Sequence, residues 1–361
     1  MRGNKTSQPS MLMLVSPGSL VPPKHPLRGI KALADEALRA LDETFGEMYS
    51  NVGRPSVPPE RMLKTLLLMV LYSIRSERQV CEQLHYNMLF RWFVDMDLTE
   101  PAFDASSFSK NRERLIEHDV ASKFLSAIVE KAREAGLMST DHFSVDGTLI
   151  GALASHKSFK PKDEDPGDSN GWSDFKGDTR KNDTHESKTD PDARLMRKSG
   201  GAAAELSYAV NALMENKNGL LVDIKADIAT GTVERDAAVE MVNENLEGSK
   251  RITLGADKGY DTGDFVEKMR AMNVTPHVAQ NDQGGRRRSN IDGRTTRHKG
   301  YNVSLIRRRL IEQIFGWMKQ PGRMKRARHR GIDRVGWFTK LVGAGFNLVK
   351  LAKLQEVGQA A

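Results

Sequence analysis

The hydrophobic pattern of this chain changes its period at His142. Before that residue, apolar side chains recur at helical spacing, for example over 30–49. Residues 143–150 (FSVDGTLI) instead form a short extended run that is typical of a strand. A length of 361 residues is also enough for two domains. We therefore predict an N-terminal all-α domain over 26–135 and an α/β domain over 136–355.

Three stretches flank or interrupt these two domains. Residues 1–25 are rich in proline, serine and glycine and predict a disordered or loosely attached tail, and residues 356–361 form a second, short tail. Residues 155–205 are polar and partly of low complexity. They predict an insertion or surface loop of the α/β domain rather than a part of its core.

The predicted all-α domain contains three short helices joined by tight turns, over residues 59–74, 76–85 and 87–94. A longer helix is predicted before them, over 30–49. Pro59 opens the second helix, where its missing N–H costs nothing, while Ser76 and Asn87 can cap the two that follow. Arginines lie near the helix ends: Arg75, Arg78 and Arg91. This pattern suits a helix-turn-helix-like bundle, and equally a packing or dimerisation module that contacts no bases.

The predicted α/β domain combines a hairpin with later alternating helices and strands. Strands are predicted over 206–215, 220–229, 251–256 and 274–279, and helices over 234–246, 263–272, 303–319 and 335–351. The first two strands flank an Asn-Gly turn, which is a hairpin signal, and Asp261 can cap the second helix. This order predicts a mixed sheet with helices on its faces.

The positive charge of the chain is concentrated in one segment. The whole chain has 55 Lys and Arg against 47 Asp and Glu, a formal net charge of +8 and a pI of about 9.4. Residues 285–330 hold 15 of the cations and only two acids, Asp292 and Glu312. This concentration predicts a surface that follows a phosphate backbone and binds more weakly as salt rises. A merely solvated charged face is the alternative.

Two classes of protein are disfavoured by composition. A single cysteine, Cys81, excludes an intramolecular disulfide framework and a cysteine-based zinc cluster. The longest apolar run, 66–72, is far shorter than the roughly 20 residues that cross a bilayer, and the first 25 residues lack the order of a signal peptide. We therefore expect a soluble, cytoplasmic protein with no membrane partner.

Three carboxylates stand at positions where an acidic side chain is unusual. Asp146 interrupts the first apolar strand, where an unpaired charge is costly. Asp257 directly follows the strand RITLGA, at the end where open α/β sheets bind ligands. Glu312 lies in the basic helix, on the side that Arg308 and Lys319 share. Hard oxygen donors of this kind suit Mg²⁺ or Mn²⁺, and two such ions about 4 Å apart can act on a phosphodiester.

Each acid also has a structural interpretation. Asp257 could cap the turn that follows it. Glu312 could form an ion pair with Arg308 or Arg309, three or four residues earlier on the helix. The three acids together, on two strands and one basic helix, favour the metal site over these separate roles.

Four long segments carry a family resemblance. They are residues 66–96, 142–163 (HFSVDGTLIGALASHKSFKPKD), 251–281 and 307–331 (RRRLIEQIFGWMKQPGRMKRARHRG), with 190–198 and 291–301 adding to them. They resemble bacterial insertion-sequence transposases of the DDE superfamily, in the fifth insertion-sequence family. The resemblance implies a ribonuclease H-like catalytic domain, with which the order of predicted elements is compatible. It also implies cutting of DNA at inverted-repeat transposon ends and joining of the 3′ hydroxyl to target DNA.

Matched residue by residue, the resemblance assigns the three acids as Asp146, Asp257 and Glu312, catalytic residues that hold two Mg²⁺ or Mn²⁺ ions. Arg308, Glu312 and Lys319 fit a family pattern of Tyr, Arg, Glu and Lys, but the tyrosine position is Leu305 and the nearest tyrosine is Tyr301. The expected DNA contacts are Arg308, Lys319, Lys258, Arg323, Lys325, Arg326, Arg328 and Arg330.

The resemblance further implies double-stranded DNA as the partner, both as transposon ends and as target. A homodimer is expected in the synaptic complex because two ends must be held together, and a bacterial protein of this kind is expected at the nucleoid when active. Two other functions stay open from the residues: a nuclease of the same fold that only hydrolyses DNA, and a DNA-binding regulator whose acids are structural.

Overall fold

The sheet and helices are taken from a computed structural model. It describes residues 16–49, 56–162, 180–198, 201–246, 248, 250–282 and 288–360. Several features considered above lie outside the described residues: positions 1–15 of the predicted tail, positions 163–179 and 199–200 of the insertion, and Arg286 and Arg287 of the basic stretch 285–330.

Helices alone precede the first strand in the described part of the chain. They are α1 (Pro17–Leu20), α2 (Leu27–Arg39), α3 (Asp42–Glu47), α4 (Pro59–Leu71), α5 (Glu77–Tyr86), α6 (Met88–Phe93), α7 (Ala105–Glu117) and α8 (Val120–Glu134). The predicted caps of α5 and α6 are confirmed, since Ser76 accepts the N–H of Gln79 and Asn87 accepts that of Phe90. Ten residues of α4 are buried, so this helix forms the centre of the bundle.

Two expectations for the start of the chain were wrong in detail. The helix predicted over 30–49 is split into α2 and α3, and Asp42 in the first turn of α3 stabilises the positive end of a new helix. Residues 16–25, expected within a loose tail, are held by Arg28. Its guanidinium donates to the carbonyl oxygens of Gly18 and Val21, each at 2.7 Å.

The strands form one main sheet and one small two-stranded sheet. They are β1 (His142–Gly151), β2 (Phe159–Pro161), β3 (His185–Ser187), β4 (Arg194–Arg197), β5 (Ala204–Glu215), β6 (Leu221–Ile228), β7 (Ile252–Ala256) and β8 (Val274–Val278). The main sheet has the order β4-β5-β1-β7-β8, with β6 also paired to β5. The first strand therefore lies in the middle, antiparallel to the hairpin and parallel to β7. This confirms the ribonuclease H-like mixed sheet.

The Asn-Gly turn between β5 and β6 is organised by one buried carboxylate. Glu215 accepts the backbone N–H groups of Lys217, Asn218 and Leu220 at 2.7–2.9 Å. Gly219 has φ +70°, a conformation that glycine adopts without strain. The sequence signal and its physical cause therefore coincide at this hairpin.

The segment predicted as a surface insertion contributes to the interior. β2 and β3 pair with each other, and β4 joins the main sheet at the start of β5. Asp190 and Ala193 are fully buried, and Phe159 is nearly so. Strands of three or four residues have too few alternating positions to be recognised in a polar segment, so the prediction missed them.

The remaining helices cover both faces of the sheet. They are α9 (Val233–Asn245), α10 (Gly263–Ala271), α11 (Gly293–Thr296), α12 (Lys299–Arg307), α13 (Glu312–Lys319) and α14 (Ile332–Ala360). The helix predicted over 303–319 is interrupted, because a 3-10 turn at Arg308–Ile311 joins α12 to α13. The predicted cap of α10 is wrong: Thr262 accepts the N–H of Phe265, while Asp261 is buried and accepts the N–H groups of Asn281 and Asn290.

Helix α14 joins the all-α part to the sheet. It contacts α2, α4 and α8 and also lies against β6. A Cβ at Gly343 would come within 2.7 Å of Ile224 on β6, so glycine permits this close approach. The indole of Trp337 donates to the carbonyl oxygen of Leu115 at 3.1 Å. One apolar core therefore runs through both parts of the described chain.

None of the helices in the described part of the chain has the length and apolar character needed to cross a bilayer.

Candidate active site

Asp146 and Asp257 lie just beyond the point where the pairing of two neighbouring strands ends; Asp146 is still within β1 and paired with Ala212 of β5, whereas Asp257 follows β7. β1 and β7 run parallel, and their last paired positions are Ser144 and Gly255. Each aspartate lies two residues beyond its paired position. Asp257 thus lies at the carboxyl end of β7, beside the point where β1 loses this neighbour.

The charges of the other two predicted acids influence the titration of Asp146. Burial raises the pKa of the Asp146 carboxyl, and the negative charges of Asp257 and Glu312 raise it further. The N–H of Gly147 and the guanidinium of Arg308 partly offset this. Like charges that lie close together disfavour the ionised form. Asp146 is therefore within electrostatic range of Asp257 and Glu312.

Asp257 has a local contact of its own. Its Oδ1 accepts the backbone N–H of Gly259 at 2.7 Å, so this residue caps the 3-10 turn Lys258–Tyr260. The capping interpretation of Asp257 is thus correct, and it is compatible with a position in the cleft because the contact orients the carboxylate at the sheet edge.

Glu312 is exposed at the first position of α13, while Ile314, Phe315 and Met318 bury the opposite face. The helical face predicted for Glu312 is therefore correct. Among the ion pairs of the described residues, Arg308 contacts Asp146 at 3.3 Å rather than Glu312.

Lys319 reaches the same strand as Asp146. Its Nζ donates to Oγ1 of Thr148 at 2.5 Å. Burial lowers the pKa of Lys319, and the charge of Lys198 adds to this. Thr148 and Lys198 were missed in the sequence. Alternation along the strand, which places 146 and 148 on one face, was the signal that could have found Thr148.

A basic segment, residues 323–330, runs beside the end of β1. The N–H of Gly151 donates to the carbonyl oxygen of Lys325 at 3.1 Å, and the N–H of Ala327 donates back to Gly151 at 2.7 Å. These bonds hold the segment a few residues beyond Asp146. Most of its predicted DNA contacts are exposed: Arg323, Lys325, Arg326 and Arg330. Lys258, on the turn after Asp257, is exposed as well.

Arg328 is directed inward, unlike its neighbours. Its Nη1 donates to the carbonyl oxygen of Ile74 at 2.9 Å, and its guanidinium lies 5.0 Å from the ring centroid of Phe338. Burial lowers the pKa of Arg328 to about 10. This residue joins the basic segment to the all-α part and is not placed to contact DNA, because its cation is enclosed by protein.

Two further residues from the sequence also have structural contacts. The hydroxyl of Tyr301 donates to the carbonyl oxygen of Val278 at 2.9 Å in the interior, so it does not replace the missing family tyrosine. Arg91 is buried and its guanidinium donates to carbonyl oxygens of the loop after α6. Of the three helix-end arginines, only Arg75 and Arg78 are exposed.

The donor set fits a hard divalent cation by its chemistry, since all three predicted ligands are carboxylates. No three of the described His, Cys, Asp and Glu side chains already form a group close enough to hold a metal ion. In this structure the nearby cation is the guanidinium of Arg308.

Comparison with known proteins gives a family. Two family models match the chain: a transposase domain (DUF772) over residues 15–114 and a transposase DDE domain over residues 139–340. No curated protein matches it at a significant level.

Solved structures similar to the chain include the piggyBac transposase synaptic complex with hairpin DNA, at 9% identity and TM-score 0.43, covering 92% of this chain and 76% of that one. A pre-cleavage Mos1 transpososome is similar at 10% identity and TM-score 0.21, covering 92% and 98%. Since the second family model covers more than half of the sequence, the chain belongs to the transposases with a DDE domain.

Proposed function

We propose that this transposase cuts DNA at the inverted-repeat ends of an insertion sequence and joins the freed 3′ hydroxyl to target DNA. The observation that supports this is that Arg308, four residues before Glu312, contacts Asp146 on the central strand, and that the charges of Asp257 and Glu312 both raise the pKa of Asp146. The strand that carries Asp146 is also joined, at Gly151, to the segment 323–330 with its exposed cations. Acidic ligands next to a cationic rim suit chemistry on a phosphodiester.

Asp146, Asp257 and Glu312 would hold two Mg²⁺ or Mn²⁺ ions. When bound, such ions activate an attacking oxygen and stabilise a leaving oxygen on the phosphodiester. The role of the carboxylates is to hold these cations at the edge of the sheet, where Asp257 is already oriented by the N–H of Gly259.

The basic residues would position the DNA. Arg308 is shielded and contacts Asp146, so its guanidinium is suited to a phosphate oxygen next to the acids once the carboxylate is neutralised by another cation. Lys319 of α13, which donates to Thr148 on the strand of Asp146, would contact the adjoining phosphate. Exposed cations further out would bind the flanking backbone: Lys258, Arg323, Lys325, Arg326 and Arg330. Two copies would be needed to hold two ends together.

The proposal is tested with labelled duplexes that carry the inverted repeats flanking the gene. We expect nicking, and joining of a pre-cut 3′ end, to require Mg²⁺ or Mn²⁺ and to be lost in Asp146→Asn, Asp257→Asn and Glu312→Gln. The exposed Glu267→Gln on α10 is the matched control. Joining at the wild-type rate by Glu312→Gln would contradict the assignment of the third acid.

The same assay separates the other functions. A nuclease that only hydrolyses DNA would nick the duplex but leave the pre-cut end unjoined. A DNA-binding regulator would bind the repeat equally well with and without divalent ions and would cleave under no condition.

A further inference from the structure

A cationic cavity lies at the amino-terminal ends of β7 and β8. It has a volume of about 550 Å³ and is lined by the first four residues of β8 and by Thr253 of β7. Arg251 directly precedes β7 and lines the cavity, whereas Asp257 directly follows β7. The cavity is therefore separated from the predicted acids by the length of this strand.

Four arginines from three separate parts of the chain line this cavity. Arg251 precedes β7, Arg270 belongs to the last turn of α10, and Arg294 and Arg297 belong to α11 and its end. His298, the residue before α12, lines it as well. Only two of these arginines belong to the basic stretch that the sequence revealed. Folding alone brings the other two to the same place.

One acidic residue offsets part of this charge. Asp292 pairs with Arg294 at 2.7 Å and lies 3.7 Å from Arg270. Arg251 and Arg297 are exposed, and the side chain of neither has an ion pair or hydrogen bond among the described residues. Counted with Asp292, the four arginines leave an excess of three positive charges around one cavity.

The start of α12 adds to the positive field. This helix has nine residues and begins at Lys299, directly after His298. Its N-cap makes no side-chain hydrogen bond, and its first turn holds no acidic residue. Backbone N–H groups and the dipole at the start of a helix favour an anion. The guanidinium groups and the helix start therefore favour the same kind of ligand, a negatively charged one.

A merely solvated charged surface explains less. Like charges repel, so exposed cations with no further role gain nothing by gathering in one concavity. Here they converge from three segments, and Arg251 and Arg297 are left without a counter-ion among the described residues. A guanidinium binds phosphate oxygens in a bidentate geometry. Backbone phosphate is thus the anion that suits this lining and the DNA on which the chain is proposed to act.

We propose that this cavity holds a backbone phosphate of the transposon-end duplex, beyond the place where the strand is cut. Arg251 and Asp257 are six residues apart at the two ends of β7, which corresponds to about 20 Å along the strand. Phosphates of one DNA strand are about 3.4 Å apart along the helix axis, so a duplex lying along β7 and β8 places a phosphate here about six base pairs from the cut.

The inference rests on the proposed function, because its ligand is the DNA that is to be cleaved. The phosphate is assigned to the transposon end rather than to target DNA, since cutting precedes joining and the end is then already bound.

The test measures binding of a duplex that spans the cut, without divalent ions, so that cleavage does not contribute. We expect Arg251→Ala combined with Arg297→Ala to weaken binding on the order of 10-fold, because charge-assisted hydrogen bonds to one phosphate are lost. The slope of log affinity against log salt is expected to become shallower by roughly 0.9.

The matched control is Lys268→Ala combined with Lys353→Ala, which removes two exposed cations elsewhere. We expect it to bind the duplex as the wild type does. Melting temperatures verify folding, and the arginine variant is expected to melt as the wild type does because neither side chain has a described partner. Should it melt early, Arg297→Gln is measured alone, and wild-type affinity in that variant would overturn the inference.

Duplexes shortened on one side of the cut at a time test the position of the phosphate. An arm of about four base pairs is too short to reach a phosphate about six base pairs away. We expect the difference between the wild type and the double arginine variant to disappear with one of the two shortened arms. A difference that persists with both would overturn the proposed position.

Failure of the inference and failure of the proposed function give different results. Wild-type affinity and slope in the double arginine variant overturn the role of the cavity alone if the wild-type protein nicks and joins DNA. Equal weakening in the lysine control assigns the effect to net charge and also overturns that role. Normal binding of the end with weaker joining assigns the cavity to target DNA and contradicts the inference. Weaker binding by the arginine variant, where the wild-type protein neither nicks nor joins, supports the cavity and overturns the proposed function.

Discussion

Nη1 of Arg308 lies 3.3 Å from Oδ2 of Asp146, although 162 residues separate them in the sequence. The two side chains are 21% and 20% exposed, so the ion pair is only partly screened by water. Arg308 starts the 3-10 turn that joins α12 to α13. This contact therefore joins the start of α13 to the central strand β1. Glu312, four residues after Arg308, is the first residue of α13.

Replacing Arg308 tests the role of that contact. We expect Arg308→Ala to slow strand cleavage on the order of 100-fold, because the variant lacks the guanidinium next to the developing negative charge. Arg308→Lys keeps a charge but not the planar guanidinium, so its cleavage rate is expected to lie between those of the wild type and Arg308→Ala. Single-turnover cleavage of an end duplex measures this, and a wild-type rate in Arg308→Ala would contradict it.

The ionised carboxylate of Asp146 is expected to lower the free energy of unfolding when no cation is bound. Its folded-state pKa is raised, mainly by burial, so the folded protein binds this proton more tightly than the unfolded chain. Stability is then lost as pH rises above the ordinary aspartate range. We expect Asp146→Asn, which removes the charge, to raise the free energy of unfolding at pH 7 in EDTA. Denaturant unfolding at pH 4 and pH 7 measures it; a less stable variant at pH 7 would refute this explanation.

The basic segment predicts a salt dependence of DNA binding. The double variant Lys325→Ala with Arg326→Ala removes two exposed cations next to β1. We expect the slope of log affinity against log salt to become shallower by roughly 0.9 for each phosphate that the variant no longer neutralises. Binding of duplex DNA across a salt series measures the slope. Lys353→Ala, exposed on α14, should leave it unchanged, and an equal effect of both changes would point to net charge alone.

Asp190 is expected to secure the start of α14. Its Oδ1 accepts the hydroxyl of Tyr208 at 2.5 Å and the N–H of Gly331 at 3.1 Å, and the residue is fully buried. Asp190→Ala leaves both donors unpaired, so we expect a loss of about 3 kcal/mol in unfolding free energy. The exposed Asp183→Ala is the control in the same segment. Equal stability of the two variants in urea would disprove the role.

The buried His277 and the half-buried His329 predict a loss of stability in mild acid. Burial lowers the pKa of His277 and of His329 to about 4. Between that value and the ordinary 6.5, the unfolded chain binds more protons, so stability falls as pH decreases through this window. His277→Asn keeps a hydrogen-bonding group near Ser304 and should make the decline shallower. An unchanged decline in that variant would assign the effect to other groups.

Much of the fold follows from short-range signals. Ser76 and Asn87 cap the helices that their sequence context predicts, and the Asn-Gly turn joins β5 and β6. Errors arose where the decisive contact is distant. Thr262 caps α10 because Asp261 is engaged by residues 281–290, and β4 was missed because its partner strand stabilises it.

The sequence by itself determined the candidate acids, since a carboxylate inside an apolar strand, one at a strand end and one in a basic helix stand out from local context alone. Only the tertiary structure decided which charges surround them. It directs Arg308 to Asp146, encloses Arg328 between helices and places Glu234 against Gly147. The physical reason is the sequence distance over which the contacts act. Caps and turns depend on neighbours a few residues away, whereas the charges around Asp146 come from side chains that meet only after the sheet has formed.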